Sequence, residues 1–136
     1  YQHEWRAPQL DATYGKSAQS AFEAIVSTYP DSPYATRAKQ ELDKLDEWFA
    51  EKDFDTGYLY LKRKAYDSAI IYFKDVIRLH PRARKTRDAY LMLLEAYRSI
   101  RYTEDARDLC NDMRKAYPND RGVLDRCGAA PATPAT

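Results

Sequence analysis

The chain is poor in the residues that would mark a catalyst or a metal protein, and it has no stretch fit to span a membrane. Only four glycines occur in 136 residues, and Gly15, Gly57, Gly122 and Gly128 stand apart, so no Gly-rich loop can cradle a phosphate. The two histidines, His3 and His80, lack the i, i+4 His or Cys companion of a metal site and read as ordinary surface or turn residues. No nucleophile–base spacing is visible. The carboxylates of Asp43 and Glu47, one helical turn apart, have no recognisable cleft in which to exchange protons. No enzyme, cofactor or metal is expected. A net charge of +1 provides no global field to select nucleic acid or a membrane surface. No apolar run approaches the ~18 residues that a bilayer span requires. The opening, YQHEWRAPQLD, is not a secretory leader and reads as sequence from the middle of a protein, so a fragment or processed product is expected. Two cysteines set no compartment.

What the chain does have is helical periodicity. The stretch from Gly57 to Pro81, GYLYLKRKAYDSAIIYFKDVIRLHP, predicts two helices joined at Lys64-Ala65, with Gly57 and Tyr60 on the first. On the second, Ala69, Ile70, Phe73, Val76 and Ile77 recur at intervals of three and four and share one face. Ala69 lets a neighbouring helix approach, Phe73 fills the gap one turn on, and Pro81 stops the helix because it has no N–H. The same spacing returns as Ala18, Phe22 and Pro30 upstream, and as Ala106, Cys110 and Pro118 downstream. That is the helix-pair signature of a tetratricopeptide repeat, and three copies in register predict an all-α solenoid of stacked antiparallel helix pairs. The 12 tyrosines suit such packing, with rings inside and hydroxyls at the edge.

Taken in order, residues 1–13 carry no apolar face and read as a loop, a remnant of an upstream repeat. Residues 14–120 form the helical domain of about three pairs, the first incomplete: a helix over 14–29 without a partner in front of it, which implies upstream repeats cut away. Ser32 is a good N-cap and Pro33 suits the first helical position. From there one helix is expected over about 34–64, near 45 Å long at 1.5 Å per residue, with a break at Asp53–Asp55 as the alternative. It accounts for an interval of 51 residues from Ala18 to Ala69, against 37 from Ala69 to Ala106. A third pair follows over 85–100 and 103–117. After Pro118 periodicity is lost, and 121–136 reads as a tail, disordered from about 128.

Charge is uneven. Residues 39–55 hold seven acids against three lysines, and 61–87 hold nine Lys/Arg against two Asp. Solvated faces or pairs between neighbouring helices are the plain reading; docking of basic turns on an acidic partner is the sharper one. Cys110 sits at a core-facing repeat position and reads most simply as a small buried hydrophobe. In an oxidising compartment the tail would be able to fold back and join it through Cys127. Tyr58, Leu61, Tyr72 and Arg98 fall outside the tightest stripe and are candidates for a groove that takes a peptide or a partner domain.

YPDSPYATRA, the uninterrupted long helix, LKRKAYDSAIIYF and KTRDAYLMLLEAYR, in that order, resemble the C-terminal half of the BamD family over about 14–118. These are tetratricopeptide-repeat lipoproteins of the bacterial outer-membrane β-barrel assembly (BAM) machine. The resemblance implies a non-catalytic periplasmic scaffold, held to the outer membrane only by a lipidated N-terminus that this chain lacks. It implies docking on a POTRA domain of the barrel-forming BamA subunit and contact with other BAM subunits. Unfolded outer-membrane protein segments are a further partner by the same resemblance. The resemblance points to Tyr72, with Lys62 and Arg63 nearby, at the POTRA contact; Arg84, from the charge pattern, and Tyr58 and Arg98, from the candidate groove, complete the expected docking residues. Where some family members carry an Arg near the POTRA contact, Tyr72 stands here, so packing and a hydroxyl bond would replace a salt bridge. Two other classes compete. The cell-division coordinator of the Tol–Pal system shares a Tyr-Pro-x-Ser-x-Tyr run but has nearly uniform repeats. A peptide-carboxylate clamp would need better than Tyr58, Lys62, Glu95 and Arg98 on successive first helices.

Overall fold

The computed structural model describes residues 12–129, and there the chain forms six helices and no strand. They are α1 (Ala12–Thr28), α2 (Pro33–Lys62), α3 (Tyr66–Leu79), α4 (Thr86–Ser99), α5 (Thr103–Ala116) and α6 (Arg121–Cys127). Each packs on the next in chain order, and α2 also touches α4, as stacked helix pairs require. Residues 1–11 and 130–136, which include His3, most of the expected N-terminal loop and most of the tail, lie outside the described residues.

Local chemistry sets the boundaries. Ser32 caps α2, its Oγ accepting from the Ala35 N–H at 3.1 Å, and Pro33 follows at the first helical position. The helix then runs 30 residues without a break at Asp53–Asp55. It ends at Arg63, beyond which Lys64 takes φ 62°, while Ala65 N–H bonds Tyr60 C=O and Lys64 N–H bonds Leu61 C=O. This is a Schellman closure with a lysine where glycine is usual. The end of α4 copies it: Arg101 has φ 62°, Tyr102 N–H bonds Tyr97 C=O and Arg101 N–H bonds Arg98 C=O. Identical hairpin chemistry in two pairs is the repeat, seen at the level of the backbone. Pro30, Pro81 and Pro118 each stand two residues past a helix end, on the surface.

The core is built by the repeat positions. Ala69, Phe73 and Val76 are fully buried, and Ala106 and Cys110 nearly so. Gly57 on α2 is a true close approach, because a Cβ there would lie 2.9 Å from Phe73 Cε1. Gly15 brings α1 against Trp48 and Phe49 of α2 in the same way. In the first pair Ala18 and Phe22 are only half-buried. Tyr60 is partly buried beside the core.

Three expectations are corrected. His80 is no surface residue: it is buried, its Nδ1 lies 2.6 Å from Asp46 Oδ1, and its ring stacks on Phe49. Its backbone C=O also accepts from the buried Thr86 hydroxyl. Cys110 is not a free hydrophobe, for it forms a disulfide with Cys127, Cα atoms 5.5 Å apart. And the segment after Pro118 is helical over α6. Asp120 caps it through the Val123 N–H, and the buried Val123 and partly buried Cys127 join it to the core, contacts that a seven-residue helix needs no periodicity to make.

Candidate partner-docking surface

The end of the α2–α3 hairpin concentrates unpaired basic charge next to exposed apolar groups. On α2, Phe54, Tyr58 and Lys62 recur every four residues and share a face. The rings of Phe54 and Tyr58 stack with centroids 6.2 Å apart, and Lys62 Nζ lies 5.6 Å above the Tyr58 ring. Tyr58 is 43% exposed and Leu59 beside it 48%. Lys62, Arg63 and Lys64 are exposed, and none pairs with a carboxylate among the described residues. An aromatic ring, an aliphatic side chain and three cations without a carboxylate partner among the described residues thus stand together at the hairpin end.

Tyr72 belongs to the other side of the hairpin. It stacks on Tyr60, centroids 5.7 Å apart, and Tyr60 points about 200° away from Tyr58 around the α2 axis. The two aromatic pairs flank the hairpin rather than line one groove. Leu61 lies in the core instead, 7% exposed. Leu59 was missed in the sequence because a lone leucine between two tyrosines carries no signal until helix phase is known.

Arg84 is at the opposite end of the hairpin, in the loop before α4. Its backbone N–H bonds Glu47 Oε1 at 3.0 Å and its Nε lies 3.6 Å from the same oxygen. Here the plain reading of the charge pattern holds: the acidic stretch of α2 answers the basic loop through Glu47–Arg84, with the Asp46–His80 hydrogen bond beside it. Burial raises the Asp53 carboxyl above its ordinary range on the same stretch, with His80 opposing. Arg98 lies apart again, at the end of α4, its Nη2 3.9 Å from Cys110 Sγ.

The C-terminal end is fastened electrostatically. Arg87 of α4 forks onto Asp120, with Nε to Oδ2 at 2.5 Å and Nη2 to Oδ1 at 2.8 Å. That hydrogen bond, aided by the Val123 and Gly122 N–H groups, holds the Asp120 carboxyl down to about 2. Desolvation raises the hydroxyl pKa of Tyr90 and of Tyr117, whose rings meet edge to face at 5.7 Å beneath the fork. No group of His, Cys, Asp and Glu suited to a metal occurs among the described residues, and no helix there is long and apolar enough to cross a membrane.

Residues 2–112 match the family model YfiO, described as an outer membrane lipoprotein. Among curated proteins the chain is similar to the outer membrane protein assembly factor BamD of Caulobacter vibrioides, 32% identical over 115 residues, 85% of this chain and 38% of that protein. It is similar to BamD of Vibrio cholerae, 32% identical over 89 residues, 65% of this chain and 37% of that protein. BamD of Rickettsia prowazekii is 25% identical over 104 residues, 76% of this chain and 41% of that protein. The chain thus spans about two-fifths of the length of these relatives.

Proposed function

Because the chain belongs to the YfiO family of outer membrane lipoproteins, we propose that it is the docking half of a non-catalytic scaffold in the β-barrel assembly complex. It works on the periplasmic face of the outer membrane and binds a POTRA domain of BamA. The contact is made by the tip of the α2–α3 hairpin. Tyr58 and Leu59 supply apolar area, Lys62, Arg63 and Lys64 steer an acidic surface, and the Tyr60–Tyr72 stack presents a hydroxyl on the second flank. The observation that carries this reading is the clustering at the tip of Lys62, Arg63 and Lys64, which have no carboxylate partner among the described residues, beside the exposed Tyr58 and Leu59. Other BAM subunits, and unfolded outer-membrane protein segments, are partners of the whole assembly. The chain's contribution is to hold a substrate-binding half in place and transmit its state through the rigid α2.

The long α2 also favours this reading over a uniform-repeat adaptor, since 30 residues in one helix exceed what a simple repeat uses. Pulldown of the chain against the cognate POTRA domains tests the proposal. Capture by one of them that Arg63→Glu and Tyr72→Ala weaken supports it. Wild-type binding by both variants removes the site assignment, and no capture at all removes the function.

A further inference from the structure

We propose a second binding site, independent of the hairpin tip: the cleft along α5 takes an acidic, extended peptide segment of another protein. A cavity of about 430 Å³ opens between the end of α4, one face of α5 and the end of α6. Arg98, Arg101, Arg107 and Arg114 line it, with the Cys110–Cys127 disulfide as its apolar wall.

None of these four guanidiniums pairs with a carboxylate among the described residues. Arg114 donates to the Cys127 carbonyl at 2.9 Å and to Asn111 Oδ1 at 2.7 Å, which fixes it without neutralising it. Among the described residues the Arg98 guanidinium meets only sulfur, and the side chains of Arg101 and Arg107 meet no polar group. Four uncompensated cations around one partly apolar cleft repel one another, and a bound anion relieves that repulsion. The guanidinium fork matches a planar carboxylate with two parallel hydrogen bonds.

Spacing selects a peptide over a single phosphate. Arg107 and Arg114 are seven residues apart on α5, about 10 Å along the axis, and Arg101 lies farther still toward its start. One phosphate engages at most a neighbouring pair of these guanidiniums, not the whole row from Arg101 to Arg114. Alternate side chains of an extended strand recur about every 7 Å, so two or three carboxylates of such a strand reach successive arginines. The lining residues Thr103, Arg107, Cys110 and Arg114 fall on one face of α5, which gives the cleft its linear form.

The test titrates the full chain into a fluorescein-labelled peptide of alternating Glu and Ala, followed by anisotropy at low and at physiological salt. Arg101→Glu/Arg107→Glu alters two exposed side chains without polar partners, so the fold is expected to survive, as circular dichroism will verify. Lys39→Glu/Arg82→Glu, on other surfaces, carries the same change in charge. The proposal expects binding by the wild type, a loss of about tenfold or more in the first double variant and less than about twofold in the second. It is overturned if the wild type does not bind, or if both variants weaken equally, which is bulk charge alone. It is equally overturned if phosphatidylglycerol vesicles, and not the peptide, show the Arg101/Arg107 dependence.

Discussion

Substituting Gly57 by alanine tests the packing seam directly, because two opposite effects of known size meet there. In an unconstrained helix interior the change stabilises by about 1 kcal/mol, since alanine loses less backbone freedom and exposes less backbone to water. Here the new methyl would stand 2.9 Å from Phe73 Cε1, 3.0 Å from Cδ1 and 3.2 Å from Cζ. Phe73 is fully buried, so its ring has no solvent to swing into. Either the ring leaves its rotamer or α3 backs away from α2, and overpacking of this kind costs about 1–3 kcal/mol. The expected net effect is a loss of about 1 kcal/mol, read as a lower urea midpoint at unchanged slope by circular dichroism. The Phe73→Leu background removes the obstructing ring atoms, so Gly57→Ala should there stabilise, giving a coupling of about 1–2 kcal/mol between the sites. If Gly57→Ala raises the midpoint with Phe73 intact, the close approach of α2 and α3 is not what holds this pair together.

Three further outcomes are expected. Reducing the Cys110–Cys127 disulfide, or replacing Cys127 by serine, should lower stability by about 3 kcal/mol, the loop-entropy value for a 17-residue separation, read as the urea midpoint with and without reductant. Lys64→Gly should raise stability by about 1 kcal/mol by relieving a left-handed lysine, read as an increase in melting temperature. The Asp120 carboxyl is held down to about 2 in the folded chain. Its contribution is therefore complete above the ordinary carboxylate range and is lost as pH falls from about 4 toward 2. Asp120→Asn should remove that part of the acid dependence, and identical slopes in both proteins would refute the Arg87 fork as its source.

The fold was legible because repeat packing writes itself into spacing. Ala69, Phe73 and Pro81 mark a small residue at the crossing, a large one beside it and a stop, and each does in the structure what its chemistry requires. Ser32-Pro33 marked the start of α2, and the lack of any breaker besides Gly57 gave its length. The misses have a different origin. His80 looked like a turn residue because its partners, Asp46 and Phe49, are over thirty positions away, and only the α2–α3 packing brings them together. The disulfide was one of two open readings, since its formation depends on α6, a helix too short to show a periodic face. The candidate docking residues were chosen by charge and aromaticity, and of these Lys62 and Arg63 lie at a hairpin end. Charge alone cannot tell a paired arginine from a free one: Arg84 is answered by Glu47, 37 residues earlier, whereas Arg63 meets no carboxylate among the described residues.

That contrast supplies the most direct measurement. The association rate of the chain with its cognate POTRA domain, followed by stopped-flow fluorescence at low salt, should fall several-fold for Arg63→Glu and by much less for Arg84→Glu. Both rates should converge with the wild type as salt rises. Equal rates for Arg63→Glu and the wild type at low salt, or a larger loss from Arg84→Glu, would contradict docking through the basic tip of the α2–α3 hairpin.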